Sequence, residues 1–288
     1  MNLGHIAQKP EVVDLIRRAL AEDVGPGDAT TLALVAPDRR GRALLLARGR
    51  YVIAGTEVAA AVFAAAQPDL TCAIRIADGE TAEPQQEVLA IEGPVRGLLT
   101  AERTALNFMQ RMTGIATLTR QFVDRVGPYG VQILDTRKTT PTLRILEKYG
   151  VLCGGGKNHR MGLYDRILIK DNHRQLWQRA GATDLQGAIA AARRMFPNLQ
   201  VEVEVESEAE LADALQGKPD WILLDNRTPE QLRRCVERCG KRCRLEASGG
   251  VTLANVEAIA ATGIDAISIG ALTHSALAAD LTLELAEA

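Results

Sequence analysis

The stretch VEVEVESEAELADALQGKPDWILLDNRTPEQLRRCVERCGKRCRLEASGG, residues 201–250, decides the fold class of this chain. It contains three short apolar runs, VEVEV, WILLD and CRLEA, with two longer segments of helical periodicity between them. Strands that alternate with helices in this way are typical of βα units around a parallel sheet. The stretch therefore predicts an α/β fold.

The alternation continues on both sides of this stretch. VQILD and RILIK precede it and DAISIG follows it, so six strands are predicted from residue 131 onward. Six strands favour an α/β barrel that is incomplete relative to eight, and a doubly wound open sheet is the alternative. The helices predicted between these strands are TDLQGAIAAARRMF, SEAELADALQG, TPEQLRRCVERC and TLANVEAIAATG.

The first half of the chain has a different pattern. EVVDLIRRALAE, residues 11–22, has the apolar stripe of an amphipathic helix, and further helices are predicted at 57–67 and 100–126. Strands are predicted in the runs RALLLARGRYVIAG, TCAIRIADG and EVLAIEGPVRGLL, which glycine and proline interrupt. This half is therefore predicted to be an α+β domain with a mostly antiparallel sheet.

The composition excludes several classes of protein. The chain has 288 residues, a formal charge of −2 and 47% hydrophobic residues, which is ordinary for a globular protein. The near-neutral charge argues against nucleic-acid binding, and no apolar run is long enough for a membrane span. The N-terminal segment lacks the pattern of a signal peptide, and the five cysteines suit a reducing compartment. We expect a cytoplasmic protein without a membrane or nucleic-acid partner.

The six predicted strands all end in charged residues or glycine. In parallel βα folds the residues that bind substrates follow the carboxyl ends of the strands, so these positions are expected to form one functional rim. The positions are Asp135, Lys170, Glu204, Asp225, Ser248 to Gly250, and Gly270.

Charge is divided along the second half of the chain. Residues 135–174 contain nine Lys and Arg against four Asp and Glu, a balance of +5, whereas residues 201–237 contain four against ten, a balance of −6. A cationic region suits carboxylates and phosphates, and an anionic region suits a divalent cation or sugar hydroxyls. Both faces of a barrel strand are covered, so a glutamate within VEVEVE needs a partner or a cation. Glu204 and Asp225, close to the carboxyl ends of their strands, are the preferred candidates.

Two glycine-rich segments lie beside these candidates. Residues 154–156 precede four hydrogen-bond donors, which suits close approach of an anion to the backbone, although a flexible loop has the same composition. Ser248 to Gly250 precede a helix predicted at 252–261, and either a phosphate site at its N-terminus or ordinary turn chemistry fits this spacing. His173 and His274 have an equally simple interpretation as helix-capping or packing residues.

The stretch DTRKTTPTLRILEKYGVLCGGGKNHRMGLYDRILIKDNH, residues 135–173, closely resembles the signature of the quinolinate phosphoribosyltransferase family. ERTALNFMQRMTGIAT, residues 102–117, is similar to a second family motif, and the VEVEVE, LLDN, ASGGV and SIGALTHSA segments follow in the family order. The resemblance implies an N-terminal α/β sandwich domain over 1–112, followed by an incomplete, TIM-like α/β barrel over 113–275. A C-terminal tail at about 276–288 is expected to pack back on the first domain, and the family assembles as homodimers or multiples of them.

The resemblance also implies a reaction. Members of the family join quinolinate to phosphoribosyl pyrophosphate (PRPP), with magnesium, and yield nicotinate mononucleotide, pyrophosphate and carbon dioxide for de novo NAD synthesis. Two other functions remain open: phosphoribosyl transfer to a monocarboxylate such as nicotinate, and a binding or regulatory role without catalysis. The product carbanion needs a proton donor, for which Lys138 is a candidate.

Roles for individual residues follow from the same resemblance. Arg103 is expected to reach the neighbouring subunit's site, and the catalytic residues are expected to be Lys138, Lys170, Glu204 and Asp225. Glu204 and Asp225 would also hold magnesium, directly or through water. The expected quinolinate-binding residues are Arg103, Arg137, His159, Arg160 and Lys170, and the expected PRPP-binding residues are Lys138, Ser248, Gly249, Gly250, Gly270 and His274.

The sequence departs from the family pattern at three positions. Thr142 stands where the family usually has glycine, and Gly150 and Leu152 stand where it often has alanine and arginine. These residues flank the expected anion-binding residues and replace none of them. A paralogous group associated with molybdenum transport has altered substrate residues, and the complete cationic set argues against it.

Overall fold

A computed structural model describes residues 5–179 and 184–286 of the chain. The described residues form two compact units. The first contains the residues up to Arg120, Thr139–Gly155 and the segment from Ala271 onward, and the second contains Gln121–Lys138 and Gly156–Gly270. No helix among the described residues is long and apolar enough to cross a membrane.

The secondary structure changes character after the longest helix. Up to that point, helices and strands occur in the order α1 (Pro10–Val24), α2 (Ala29–Leu34), β1 (Arg40–Ala47), β2 (Tyr51–Val52), α3 (Thr56–Ala66), β3 (Thr71–Ile74), β4 (Thr81–Ala82), β5 (Glu87–Pro94) and α4 (Val95–Val126). Short 3-10 helices at Ile6–Gln8 and Gly127–Tyr129 lie at the two ends of this part.

Strands and helices alternate in the rest of the chain. They are β6 (Gln132–Leu134), α5 (Arg144–Cys153), β7 (Ile167–Ile169), α6 (Asp171–Arg179), α7 (Leu185–Met195), β8 (Val201–Val205), α8 (Glu208–Gln216), β9 (Trp221–Asp225), α9 (Pro229–Cys239), β10 (Arg244–Ser248), α10 (Val256–Ala260), β11 (Ala266–Ser268), α11 (Ala271–His274) and β12 (Leu281–Ala286). All six strands predicted in this half are confirmed. Thr183, the predicted first residue of α7, lies outside the described residues.

The first unit is built on an antiparallel sheet in the order β12-β1-β5-β3. Its core forms because alternate strand residues point to one face; Leu45 of β1 pairs with Leu89 of β5, and both are fully buried. Phe63 and Val62 of α3 belong to the same apolar cluster. The predicted α+β character of this half is therefore confirmed, and its C-terminal strand comes from the last residues described.

One of the predicted strands in this unit is wrong at its end. EVLAIEGPVRGLL is strand only as far as Pro94, and the helix α4 begins at Val95 instead of residue 100. Within this first turn of α4, a Cβ on Gly97 would lie 2.5 Å from Gln67 Cβ, so only glycine fits here. The glycine therefore permits a close approach that the hydrophobic pattern alone does not reveal.

The second unit contains a six-stranded parallel sheet in the order β6-β11-β10-β9-β8-β7. The strands from β7 to β11 are neighbours in chain order, and β6 pairs with β11. A doubly wound sheet reverses its strand order near the middle, and this sheet does not, so the incomplete barrel is the correct alternative. All residues of β8 are buried, which places its two glutamates in the interior.

Candidate active site

A cavity of about 380 Å³ opens among the strand ends of the second unit. Its walls come from the loops after β6 and before β7 and from the carboxyl-terminal parts of β7 to β11. The residues that line it are Thr136, Arg137, Lys138, His159, Arg160, Leu168, Lys170, Glu204, Leu223, Asp225, Glu246, Ser248 and Ser268.

The structure brings together most of the side chains that the sequence singled out. Gly249, Gly250 and Gly270 follow two of the same strands without lining the cavity. Arg103 and His274 belong to the first unit; Arg103 is exposed on α4, and His274 is exposed with its Nδ1 2.7 Å from Ser275 Oγ. The predicted residues that line the cavity are Arg137, Lys138, His159, Arg160, Lys170, Glu204, Asp225 and Ser248.

Cationic side chains form one wall of the cavity. Arg160 is buried, with Nη1 donating to the backbone oxygen of Arg166 over 3.3 Å. Burial, and next the charge of Arg137, lower the pKa of Arg160 from its usual value. Two guanidinium groups of one cavity that repel each other favour an anionic ligand there.

Carboxylates form another part of the cavity wall. Glu204 is largely buried, and its Oε2 accepts a hydrogen bond from Lys170 Nζ at 2.9 Å. Asp225 ends β9 and accepts a 2.7 Å hydrogen bond from Asn226 Nδ2. Lys170, after β7, is thus paired with Glu204 of the neighbouring strand β8. The cationic and anionic residues that are separated along the sequence therefore line one cavity.

His159 is held by the protein through its backbone and both ring nitrogens. Its N–H donates to the buried Asp135 at 2.9 Å, and its Nδ1 accepts from the N–H of Arg160 at 2.7 Å. Nδ1 as an acceptor assigns the ring proton to Nε2, which lies 3.0 Å from Glu202 Oε2. The ring therefore fixes the backbone from which the Arg160 side chain extends.

Two buried carboxyl groups lie below this histidine. Glu202 and Glu246 are both fully buried, and Glu202 Oε2 also lies 3.3 Å from Arg166 Nη1. Burial tends to raise the pKa of Glu202, but the hydrogen bond from His159 and the charge of Arg166 hold it below its usual value. Burial, and then the charge of Glu202, raise the pKa of Glu246 well above the usual range.

Sequence reasoning missed Glu246 and Ser268 as cavity residues. A signal was available for Glu246, because side chains two residues apart on a strand share a face and Glu246 precedes Ser248 by two. The same rule had selected Glu204 within VEVEVE. The same signal was available for Ser268, which precedes the selected Gly270 by two residues.

The turn after β10 is built for close backbone approach. Gly249 and Gly250 have φ values of +91° and +60°, and a Cβ on Gly249 would lie only 2.1 Å from Asn226 Oδ1. The predicted helix at 252–261 is wrong in its start, because α10 begins at Val256. Asn255 Oδ1 accepts from the Thr252 N–H at 2.8 Å, which closes a turn where the helix was expected. The two glycines are therefore not followed directly by a helix N-terminus.

Two of the three departures from the family pattern have a structural explanation within the first unit. Thr142 has φ +69°, a left-handed conformation that glycine adopts without strain. A Cβ on Gly150 would lie 3.0 Å from the Met112 backbone oxygen, so glycine allows α5 to approach α4 closely. The structure gives no reason for Leu152.

Comparison with known proteins identifies the family. Residues 28–113 match "Quinolinate phosphoribosyl transferase, N-terminal domain", and residues 115–284 match the C-terminal domain of the same family. The chain is 42% identical over 278 residues to a nicotinate-nucleotide pyrophosphorylase [carboxylating] of Mycobacterium leprae (94% of this chain, 96% of that one). It is 36% identical over 272 residues to a probable enzyme of that name from Bacillus subtilis (94% and 92%).

Solved structures give the same result. The nicotinate-nucleotide pyrophosphorylase from Francisella tularensis superposes with a TM-score of 0.90 at 36% identity, covering 96% of each chain. NadC from Streptococcus pyogenes superposes with a TM-score of 0.90 at 38% identity, covering 96% of this chain and 98% of that one. The matches to both domains and this agreement in fold show that the chain belongs to the quinolinate phosphoribosyltransferase family.

Proposed function

We propose that the cavity of the second unit transfers the phosphoribosyl group of PRPP to the ring nitrogen of quinolinate and releases carbon dioxide. The products are nicotinate mononucleotide and pyrophosphate, as in de novo NAD synthesis. Family membership defines the enzyme as a carboxylating nicotinate-nucleotide pyrophosphorylase, a pentosyltransferase. The observation that carries the assignment of the site is the single cavity with a cationic wall and a carboxylate wall.

The cationic wall suits the acceptor. Quinolinate carries two carboxylates, and the planar guanidinium groups of Arg137 and Arg160 match carboxylates in a bidentate manner. Lys170 supplies a third charge from the end of β7. His159 contributes to quinolinate binding by fixing the Arg160 backbone, because its ring nitrogens are already directed at Arg160 and Glu202.

The carboxylate wall suits the sugar. Departure of pyrophosphate leaves positive charge on the ribose, and Glu204 and Asp225 stabilise that charge by their position and hold the ribose hydroxyls. Lys138, exposed at the cavity, faces the departing pyrophosphate. The 5′-phosphate lies on the backbone after β10 and β11, at Ser248 to Gly250 and Gly270.

We propose magnesium as the cofactor, held by Glu204 and Asp225 directly or through water. Their oxygens suit Mg²⁺, which usually keeps several waters and takes only one or two carboxylates together with substrate phosphates. Asp225 is partly exposed, so its carboxylate is open to such a ligand. The ion, when bound, would stabilise the charge that develops on pyrophosphate.

The chemical steps follow from these positions. The bond between the anomeric carbon and the pyrophosphate oxygen breaks, and the ring nitrogen of quinolinate supplies the electron pair for the new bond. The nitrogen becomes cationic, which allows the C2 carboxylate to leave as carbon dioxide while its electron pair stays on C2. Protonation of C2 then completes nicotinate mononucleotide.

We further propose that the active enzyme is a homodimer, or a multiple of one, in the cytoplasm. Arg103 is exposed on α4 of the first unit and has the reach of a long cationic side chain. In this arrangement it enters the neighbouring subunit's site and binds a quinolinate carboxylate.

A direct assay tests the reaction. Purified protein is incubated with magnesium, PRPP and quinolinate labelled at the C2 carboxylate, with nicotinate in parallel reactions. We expect labelled carbon dioxide and nicotinate mononucleotide in equal amounts from quinolinate, and no product from nicotinate. Product from nicotinate would instead support a monocarboxylate transferase. Thermal stabilisation by both substrates without product would support a binding protein.

A matched pair of variants connects the reaction to the cavity. Arg160→Ala removes a buried cation of the cavity, and Arg193→Ala removes an arginine paired with Asp220 on the surface. We expect turnover with quinolinate to be lost only in Arg160→Ala. Equal activity in both variants would contradict the assignment of this cavity.

A further inference from the structure

We propose that Glu246 is the acid that protonates C2 of the pyridine ring after carbon dioxide leaves. The inference rests on the proposed function and adds a catalytic residue to it. Lys138, the donor considered from sequence, is exposed, whereas Glu246 is enclosed in the wall of the cavity. An enclosed donor delivers its proton to a carbanion without opening the site to water.

The position of Glu246 satisfies the first requirement, which is access to the reacting ring. It lies two residues before Ser248 on β10 and therefore below the proposed phosphate-binding turn. Glu246 is one of the residues that line the same cavity as Arg137 and Arg160. In the proposed binding mode these arginines hold quinolinate with its ring nitrogen toward the ribose and its C2 edge beside Glu246.

The surroundings of Glu246 satisfy the second requirement, which is a proton. Within the described part of the chain, neither of its carboxylate oxygens receives a hydrogen bond of ordinary geometry. A charged carboxylate buried in this way is strongly destabilised, whereas the neutral acid is not. Burial accordingly raises the pKa of Glu246 well above the usual range.

The neighbouring charges place the proton on Glu246. Glu202 faces it from β8, His159 Nε2 lies 3.5 Å from Glu246 Oε2, and the Ser268 hydroxyl faces it from β11. Both nitrogen groups that donate to this pair lie closer to Glu202: His159 Nε2 at 3.0 Å and the guanidinium Nη1 of Arg166 at 3.3 Å. Glu202 is therefore the compensated carboxylate, and Glu246 is the neutral one.

A metal ion is a less suitable occupant of the same cluster. The ligand atoms of His159, Glu202 and Glu246 lie within 4.8 Å of one another, which would suit a cation by spacing alone. Arg166 already places positive charge on Glu202, however, and His159 donates its Nε2 proton in the same direction. With these two donors beside Glu202, a proton is the species that neutralises the pair of Glu202 and Glu246, and a metal ion is not needed.

The proton and the charges balance over one turnover. The C2–carboxylate bond breaks, carbon dioxide leaves, and the electron pair on C2 takes the proton from the Glu246 O–H. Glu246 becomes a carboxylate while the ring nitrogen is cationic, so the product offsets the new charge until it leaves. Exchange with water in the open cavity then restores the acid. A neutral Glu246 also avoids repulsion of the dianionic substrate during binding.

The variant Glu246→Gln tests this role because it keeps the size of the side chain and removes the acid. We expect kcat to fall by about 10²-fold or more, while the Kd for quinolinate, measured by calorimetry, changes less than threefold. In an equal mixture of H₂O and D₂O, we also expect the deuterium fraction at C2 of the product to differ from that of the wild type, since another donor supplies the proton. Mass spectrometry of the product measures this fraction.

Glu202→Gln is the matched control from the same cluster. It disturbs His159 and hence Arg160, so we expect a higher KM for quinolinate with an unchanged deuterium fraction. If Glu246→Gln does not fold, Glu246→Asp and Glu246→Asn give the same contrast, and only the aspartate variant should retain part of kcat.

Two results would overturn the assignment. One is a kcat and a deuterium fraction in Glu246→Gln equal to those of the wild type. The other is a loss of quinolinate affinity that accounts for the whole decrease in activity, which would make Glu246 a structural residue. Absence of product from the wild type would contradict the proposed function itself, and the role of Glu246 with it.

Discussion

Replacement of Arg111 should destabilise the first unit, because it leaves a buried charge without its main partner. Glu147 is 1% exposed, and its Oε1 accepts hydrogen bonds from Arg111 Nε at 3.0 Å and Nη2 at 2.8 Å. Arg111 also donates to the backbone oxygens of Ala276 and Thr273. The arginine thereby connects α4, α5 and the C-terminal segment of this unit.

The magnitude follows from the contacts that remain. Removing one partner of a buried ion pair typically costs about 3–5 kcal/mol. In Arg111→Met, Thr140 still donates to Glu147 from its N–H at 3.0 Å and from its hydroxyl at 2.8 Å. We therefore expect the lower part of the range, about 3 kcal/mol, which corresponds to a decrease of about 6 °C in Tm.

Thermal unfolding followed by circular dichroism measures this change. Arg17→Met is the control, since Arg17 pairs with Asp14 on the surface and its loss should alter Tm by only about 1 °C. The double variant Arg111→Met with Glu147→Gln should recover part of the loss, because the remaining buried group is then neutral. A Tm of Arg111→Met within about 2 °C of the wild-type Tm would refute this reasoning. A double variant that is less stable than Arg111→Met would refute it as well.

The remaining predictions concern substrate binding. Gly249→Ala should raise the KM for PRPP at least tenfold, because its Cβ would meet Asn226 Oδ1 at 2.1 Å; an unchanged KM would exclude this turn from the phosphate site. Arg160→Lys should raise the KM for quinolinate by about tenfold, since lysine lacks the planar bidentate donor, and steady-state kinetics equal to the wild type would contradict direct recognition. Arg103→Ala and Lys170→Ala chains, each inactive alone, should form mixed dimers with partial activity; if mixing restores none, the site is not shared between subunits.

The strands of the barrel could be predicted because burial dictates their composition. VEVEV and WILLD are covered on both faces, so apolar residues dominate and the run stands out against the helices. Helix starts were less predictable. The start of α10 depends on the side chain of Asn255 closing a turn, and the first turn of α4 packs so closely on Gln67 that residue 97 has to be glycine. Both are contacts between particular atoms, which a hydrophobic pattern does not contain.

The site shows the same limit. The rule for strand ends found the residues at the rim, including Lys170 and Glu204, because topology alone brings strand ends together. The raised pKa of Glu246 follows from its burial and from the charge of Glu202, and His159 and Arg166 both lie closer to Glu202. These are differences between distances below 4 Å, which a sequence does not contain. The placement of residues 139–155 in the first unit likewise depends on long-range contacts such as Arg111 with Glu147.

The inward face of the barrel carries polar side chains at two successive levels, Glu202 and Glu204 on β8, and Glu246 and Ser248 on β10. A strand rises by about 3.3 Å per residue, so the two levels are separated by about 6.6 Å along each strand. Peptide geometry fixes this interval, and no side-chain replacement can stretch or shorten it. Changes of specificity on this scaffold therefore have to come from which groups each level presents.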